Sequence, residues 1–300
     1  MTAWLLCQVM QDIGLPAGVV NMVFGTGPRA GNALVTHPNV PLISFTGGTV
    51  TGETIMRNSA PFCKKLSLEL GGKNPNIIFD DADMDECVAT TVRSSFANQG
   101  EICLCGSRIF VQSSVYSAFL ERFIAQTSKL VVGDPRSPIT NMGALVSQQH
   151  LDKVMSYVAL AEQEGGQVVF GGQRLKNVQG MDDKDLSQGY FMQPTIIAAR
   201  PLDATASHCG MDPLRSRVMQ EEIFGPVVTV CPFETEDQVV SWANSVQYGL
   251  SASIWTENGR RQRRVAEQLR VGTVWINCWM VRDLKCVLKK HFIVYICEML

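Results

Sequence analysis

PLISFTGGTVTGETIMRNSAPFCKKLSLELGGKNPNIIFDD, residues 41–81, decides the fold class. PLISFTGG (41–48) is an apolar run that closes on paired glycines, and a helix follows near 51–58. KKLSLELGG (64–72) and PNIIFDD (75–81) are short β-type runs bounded by Gly, Pro and Asp. Strand–turn–helix units in succession imply a parallel sheet with helices on its faces, joined by right-handed connections.

Upstream, VVNMVFG (19–25) reads as a further buried strand. It leads through the glycine-bearing turn GTGPRAG (25–31) into a short helix through Leu34 and Val35. Trp4, Leu5, Val9 and Ile13 stand at helical spacing, and Gly14-Leu15-Pro16 ends that helix. Downstream of Met84 the units lengthen. MDECVATTVRSSFANQG (84–100) reads as a helix that breaks at Gln-Gly, SRIFV as a strand, and Tyr116, Phe119, Leu120 and Phe123 as one face of a helix. Leu151, Val154, Tyr157, Val158 and Ala161 mark another helix, stopped by Gly165-Gly166. QVVFGG, FMQPTIIAA, VVTVCPF and SASIW read as strands, 236–247 and 258–270 as helices, and FIVYIC (292–297) as a strand-like tail. Residues 173–188 and 201–218 are polar, poorly periodic and read as loops.

Bulk composition narrows the function. Three hundred residues with 46% hydrophobic and 18% charged side chains suit a soluble chain large enough for two domains. A net charge of −2 gives no field favouring nucleic acid or an anionic membrane. The N-terminus lacks the basic start and small-residue cleavage site of a signal peptide, and no apolar run reaches the ~18 residues a membrane helix needs. The ten cysteines are scattered without a C-x-x-C pair, and the four histidines show no H-E-x-x-H spacing, so neither zinc nor a secreted disulfide framework is expected. Reduced thiols in the cytoplasm fit best.

Four short motifs carry candidate chemistry. NQGEICLCGSR (98–108) places Cys103 just after a helix breaks, where a thiolate can attack a carbonyl carbon. A lone loop cysteine is more often a small buried hydrophobe, and Cys105 takes that reading or at most a resolving role. LELGG (68–72) sets Glu69 at a strand end before glycines that allow close approach, the situation of a general base or of an ordinary solvated carboxylate. EEIFGPV (221–227) offers carboxylates able to accept from ribose hydroxyls, or simply a charged loop. SFTGG (44–48) opens a helix whose N–H groups can meet a phosphate, whereas the glycine spacing of GTGPRAG misses the G-x-G-x-x-G pattern.

Each motif is weak alone, but their order is specific. FTGG, LELGGK, NQGEIC, EEIFGPV and GTVWIN (272–277), with Cys103 34 positions after Glu69, resemble the aldehyde dehydrogenase superfamily over residues 1 to about 284. The resemblance implies an α/β fold: the C-terminal half of a Rossmann-like dinucleotide-binding domain (1–71), an α/β catalytic domain (72–284) and a divergent tail (285–300). It implies oxidation of an aldehyde to a carboxylic acid with NAD, NADP not being excluded, by a homo-oligomer when the enzyme is complete. Cys103 then matches the nucleophile and Glu69 the base that activates water. Glu222 matches the holder of the nicotinamide ribose, Phe224 the aromatic beside it, and Gly47 and Gly48 the turn at the cofactor phosphates. Family members often carry serine where Gly48 stands.

The resemblance also implies departures. Family chains begin upstream of Met1, with the oxyanion-hole asparagine and the adenosine-ribose contacts in that part. Loss of one oxyanion donor costs ~10²–10³ in rate. KCVLKKHFIVYICEML (285–300) does not match the family, and 201–218 is longer than usual. The expectation is a truncated isoform with uncovered strand edges, poor solubility or weak NAD binding. The alternative to a working enzyme is a catalytically silent chain that at most associates with intact subunits.

Overall fold

The computed structural model describes residues 2–176, 178, 180, 185–199, 210–281 and 293–296. It divides into two units, Met1–Leu70 and Gly71–Leu300.

In the first unit, α1 (Thr2–Asp12) ends where Gly14 turns left-handed at φ +71°. A single π-helical turn, Gly27–Gly31, feeds α2 (Asn32–Thr36). Then β1 (Leu42–Thr46), α3 (Thr49–Ser59) and β2 (Lys65–Glu69) form a βαβ unit, with β1 and β2 parallel from Leu42↔Lys65 to Thr46↔Glu69. The helix packs through Gly52 and Ile55, and a Cβ on Gly52 would press on the Leu70 side chain. The strand expected at 19–25 is not formed. Among the described residues β1 and β2 pair only with each other, and Val19, Val20, Val23 and Phe24 are exposed. An apolar run becomes a strand only when a neighbouring ladder takes up its N–H and C=O groups, and none does here.

The second unit carries β3 (Asn74–Ile78), β4 (Gly106–Gln112), β5 (Gln167–Phe170), β6 (Thr195–Ala198), β7 (Val227–Phe233), β8 (Ser251–Trp255), β9 (Thr273–Ile276) and β10 (Ile293–Ile296). Among the described residues they form one sheet in the order β10-β9-β8-β3-β4-β7-β6-β5, parallel except for the β5–β6 pair. The tail stretch read as strand-like therefore adds an edge strand beside β9.

Helices cover both faces, as the two-residue period of each strand dictates. Ile78, Ile109 and Val111 face α4 (Met84–Phe96) and α5 (Tyr116–Thr127), meeting Val88, Val92, Phe119 and Phe123. Ile77, Phe110 and Ile197 point the other way, toward α6 (Gln148–Gln163), α8 (Glu236–Ala243) and α9 (Gly259–Gln268), with the short α7 (Arg217–Gln220) before β7. Two helix starts matter below. Asp83 caps α4 by accepting from the Asp85 and Glu86 amides, and Ser147 caps α6 by accepting from the His150 amide. Residues 201–209 of the loop expected at 201–218, and most of the 285–300 tail, lie outside the described residues.

Candidate active site

Cys103 follows a turn built at the C-terminus of α4. Asn98 (φ +49°) and Gln99 (φ +57°) adopt left-handed backbone, a costly conformation for residues with a side chain. The turn is held from several directions. The Gln99 Oε1 accepts from the Gly143 amide (3.1 Å), the Asn98 amide group donates to the Glu101 carbonyl (3.0 Å), and Glu101 Oε1 accepts from the Val146 amide (3.3 Å). Beyond it, Asn74 of β3 pins the loop: its Nδ2 donates to the carbonyls of Cys103 (2.8 Å) and Cys105 (2.9 Å), while its Oδ1 accepts from the Ser251 amide (3.1 Å). Cys103 is left half-buried at the loop crest. Cys105 points inward, and burial pushes its thiol up to about 12, so it stays protonated and takes the packing role.

The paired glycines of LELGG bring the Cys103 loop and the EEIFGPV turn together. A Cβ on Gly71 would collide with the Glu222 carboxylate, and one on Gly72 would lie 2.8 Å from the Cys103 carbonyl oxygen. The Gly72 amide donates to Glu222 Oε1 at 3.0 Å. Gly100 does the same service from the other side, because a Cβ there would run into the Gly225 carbonyl. Gly72, Gly100, Cys105, Glu222 and Phe224 consequently border one crevice.

The two adjacent glutamates have opposite fates. Glu221 is tied down by Arg217 (2.7 and 3.1 Å) and by the Tyr157 hydroxyl (2.5 Å), and the Arg217 hydrogen bond holds its carboxyl below the usual range. Glu222 turns into the crevice, where burial raises its pKa against the opposing pull of the Gly72 amide. Phe224, at φ +59° and 37% exposed, stands at the rim, and its carbonyl accepts from His150 Nε2 at 2.6 Å. Behind the glycines Lys73 is wholly buried, with no partner for Nζ among the described residues. Burial and the neighbouring Arg108 charge bring its amine down to about 7.

In the first unit, Glu69 ends β2 with its side chain exposed. Its carbonyl accepts from the Gly47 amide at 3.0 Å, so that glycine N–H closes the strand pair. Gly48 is the N-cap of α3; no side chain caps this helix start, and a Cβ on Gly48 would meet nothing within 4 Å. Asn74 and His150 were not singled out by the sequence. Asn74 directly follows the LELGGK motif, a usable signal, whereas nothing about position 150 marks it before folding.

A 2-aminomuconic semialdehyde dehydrogenase of Danio rerio is 56% identical over 288 residues, covering 95% of this chain and 55% of that protein. A 2-hydroxymuconic semialdehyde dehydrogenase of Pseudomonas putida is 44% identical over 286 residues, again covering 95% and 55%. The chain thus spans about half the length of the curated relatives it matches. A crystal structure of betaine aldehyde dehydrogenase from Staphylococcus aureus in complex with NAD+ superposes with a TM-score of 0.85 at 37% identity, covering 95% of this chain and 53% of that one. The signature of the aldehyde dehydrogenase family matches residues 1–288, and the chain belongs to the aldehyde dehydrogenase family.

Proposed function

We propose that the protein oxidises an aldehyde to a carboxylic acid with Cys103 as nucleophile and NAD+ as oxidant. The observation that carries this reading is the junction at Gly71-Gly72, where the Cys103 backbone and the Glu222 carboxylate share one pair of glycines. The half-buried Cys103 sulfur attacks the carbonyl carbon, forming a C–S bond as the carbonyl electrons move to oxygen. NAD+, when bound, supplies the acceptor for the hydride that leaves this carbon, and a thioester remains on Cys103. Glu69 takes a proton from water, whose oxygen attacks the thioester, releasing the acid and the thiolate.

Each unit, taken by itself, offers chemistry that a dinucleotide uses. The α3 start offers helix N–H groups with open space over Gly48, the setting that binds phosphate. One oxygen of Glu222 is held by Gly72, which fixes the carboxylate to accept from ribose hydroxyls, and Phe224 presents an apolar face beside it. Residues 1–71 are accordingly assigned to cofactor binding and 72–284 to catalysis. GVVNMVFGTG (18–27), VRSSFANQGEICLCGSRIFVQ (92–112) and NCWMVRDL (277–284) look most like 2-aminomuconic semialdehyde dehydrogenase, so the proposed substrate is 2-aminomuconic semialdehyde.

A second reading, a silent chain that associates with intact subunits, is favoured by the exposed apolar side chains of the first unit. Incubating the purified protein with NAD+ and a reactive aldehyde, and following NADH absorbance, separates the two. The expected result is NADH formation that Cys103→Ala abolishes; formation that survives this substitution sinks the assignment. No turnover from a chain whose Cys103 still alkylates selectively supports the silent reading.

A further inference from the structure

The turn that carries Cys103 and the turn that carries Glu222 and Phe224 meet at a side chain belonging to neither motif. His150 lies in the first turn of α6, its own amide donating to Ser147 Oγ at 3.2 Å. Its ring Nε2 is 2.6 Å from the Phe224 carbonyl and 3.3 Å from Glu101 Oε1. A carbonyl only accepts, so the proton sits on Nε2. The ring also stands edge-on to Phe224, with centroids 6.3 Å apart and planes at 69°. His150 and Glu101 side chains are 15% and 11% exposed, so water has little room to take over either contact.

Both turns need holding. Asn98, Gln99 and Phe224 are non-glycine residues with left-handed backbone, and such conformations persist where the surroundings over-determine them. Gln99 is held through Gly143 and Glu101 through Val146, whereas His150 reaches from Glu101 of the Cys103 turn to the Phe224 carbonyl. We propose that His150 is a positioning residue that clasps the Cys103 turn and the Glu222–Phe224 turn together, its one ring Nε2 reaching the Phe224 carbonyl and the Glu101 carboxylate. In the proposed reaction, on which this inference rests, the clasp sets the nucleophile against the ribose-binding carboxylate.

The test is hydrogen exchange on the full chain, comparing His150→Leu with His150→Gln, whose amide group keeps an N–H donor near the Nε2 position. His150→Leu is expected to raise exchange at least about tenfold in both 99–105 and 222–226, while β3, β4 and the body of α6 keep their rates. His150→Gln is expected to stay within about threefold of the unsubstituted protein at all of these amides. Loosening of one turn without the other overturns the proposal. So does a uniform rise that includes β3 and β4, or identical behaviour of the two variants. Iodoacetamide alkylation in the same samples keeps the underlying reading separate: if Cys103 reacts no faster than the exposed Cys63, the catalytic assignment fails, while the exchange data still judge the clasp.

Discussion

The two units contain the same kinds of apolar residues and treat them differently. In the second, alternate residues of β3 and β4 go to opposite faces and disappear under α4 and α5 on one side and α6, α8 and α9 on the other. In the first, β1 alternates just as regularly, yet Leu42 remains 53% exposed, and Ile13 just beyond α1 is 72% exposed. Hydrophobic alternation is a demand for a covering layer. It is met only where a second element arrives, since a βαβ unit with two strands has one helix to offer and several apolar surfaces to cover.

The largest expected effect that probes this contrast comes from the cores. Phe110, fully buried on β4, should lose about 3–5 kcal/mol of stability on Phe110→Ala. Leu66→Ala, at an exposed position on β2, should stay within ~0.5 kcal/mol. Equal costs in chemical denaturation would erase the distinction between the units.

Glycines give the next smaller difference. Gly71→Ala forces a Cβ into the Glu222 carboxylate and should cost about 1–3 kcal/mol, and it should weaken NAD+ binding as well. Gly48→Ala adds a Cβ in open space at ordinary backbone angles, φ −71°, and should be within ~0.5 kcal/mol of neutral. A tolerated Gly71→Ala would mean that the two turns are not packed as described.

Smallest per step of the variable is a slope with pH. Lys73 is brought down to about 7 in the fold from an ordinary value of 10.5. Between these values the unfolded chain binds a proton that the folded chain sheds, so stability rises with pH, by at most ~1.4 kcal/mol per pH unit. Urea midpoints at successive pH values from 7 to 9 should climb in the unsubstituted protein and climb less in Lys73→Met. Parallel curves would show that the buried amine does not titrate this way.

Much of the second unit was legible in advance because its strands are short β-branched runs punctuated by glycine, and its helices carry full apolar faces. Thus 227–233 and 251–255 read as strands and are strands. VVNMVFG at 19–25 failed for the complementary reason: composition reports a preference for burial, while pairing requires a partner ladder. At the candidate site the motifs named Cys103, Glu222 and the glycines. Glu222 was picked over Glu221 only by the family resemblance; residue chemistry did not separate them, because neighbouring carboxylates differ only in which groups reach them, and Arg217 and Tyr157 reach Glu221.

Motif order and spacing were by themselves enough to determine family resemblance, the parallel character of the sheet and the identity of the candidate nucleophile. Tertiary structure alone decided that Cys105 is a packing residue, that Gly71 and Gly72 make room for two distant loops, and that His150 joins those loops. The physical reason is distance along the chain. Gly72 and Glu222 are 150 residues apart and Glu101 and Val146 are 45 apart, and such contacts exist only after the sheet has brought the strand ends side by side.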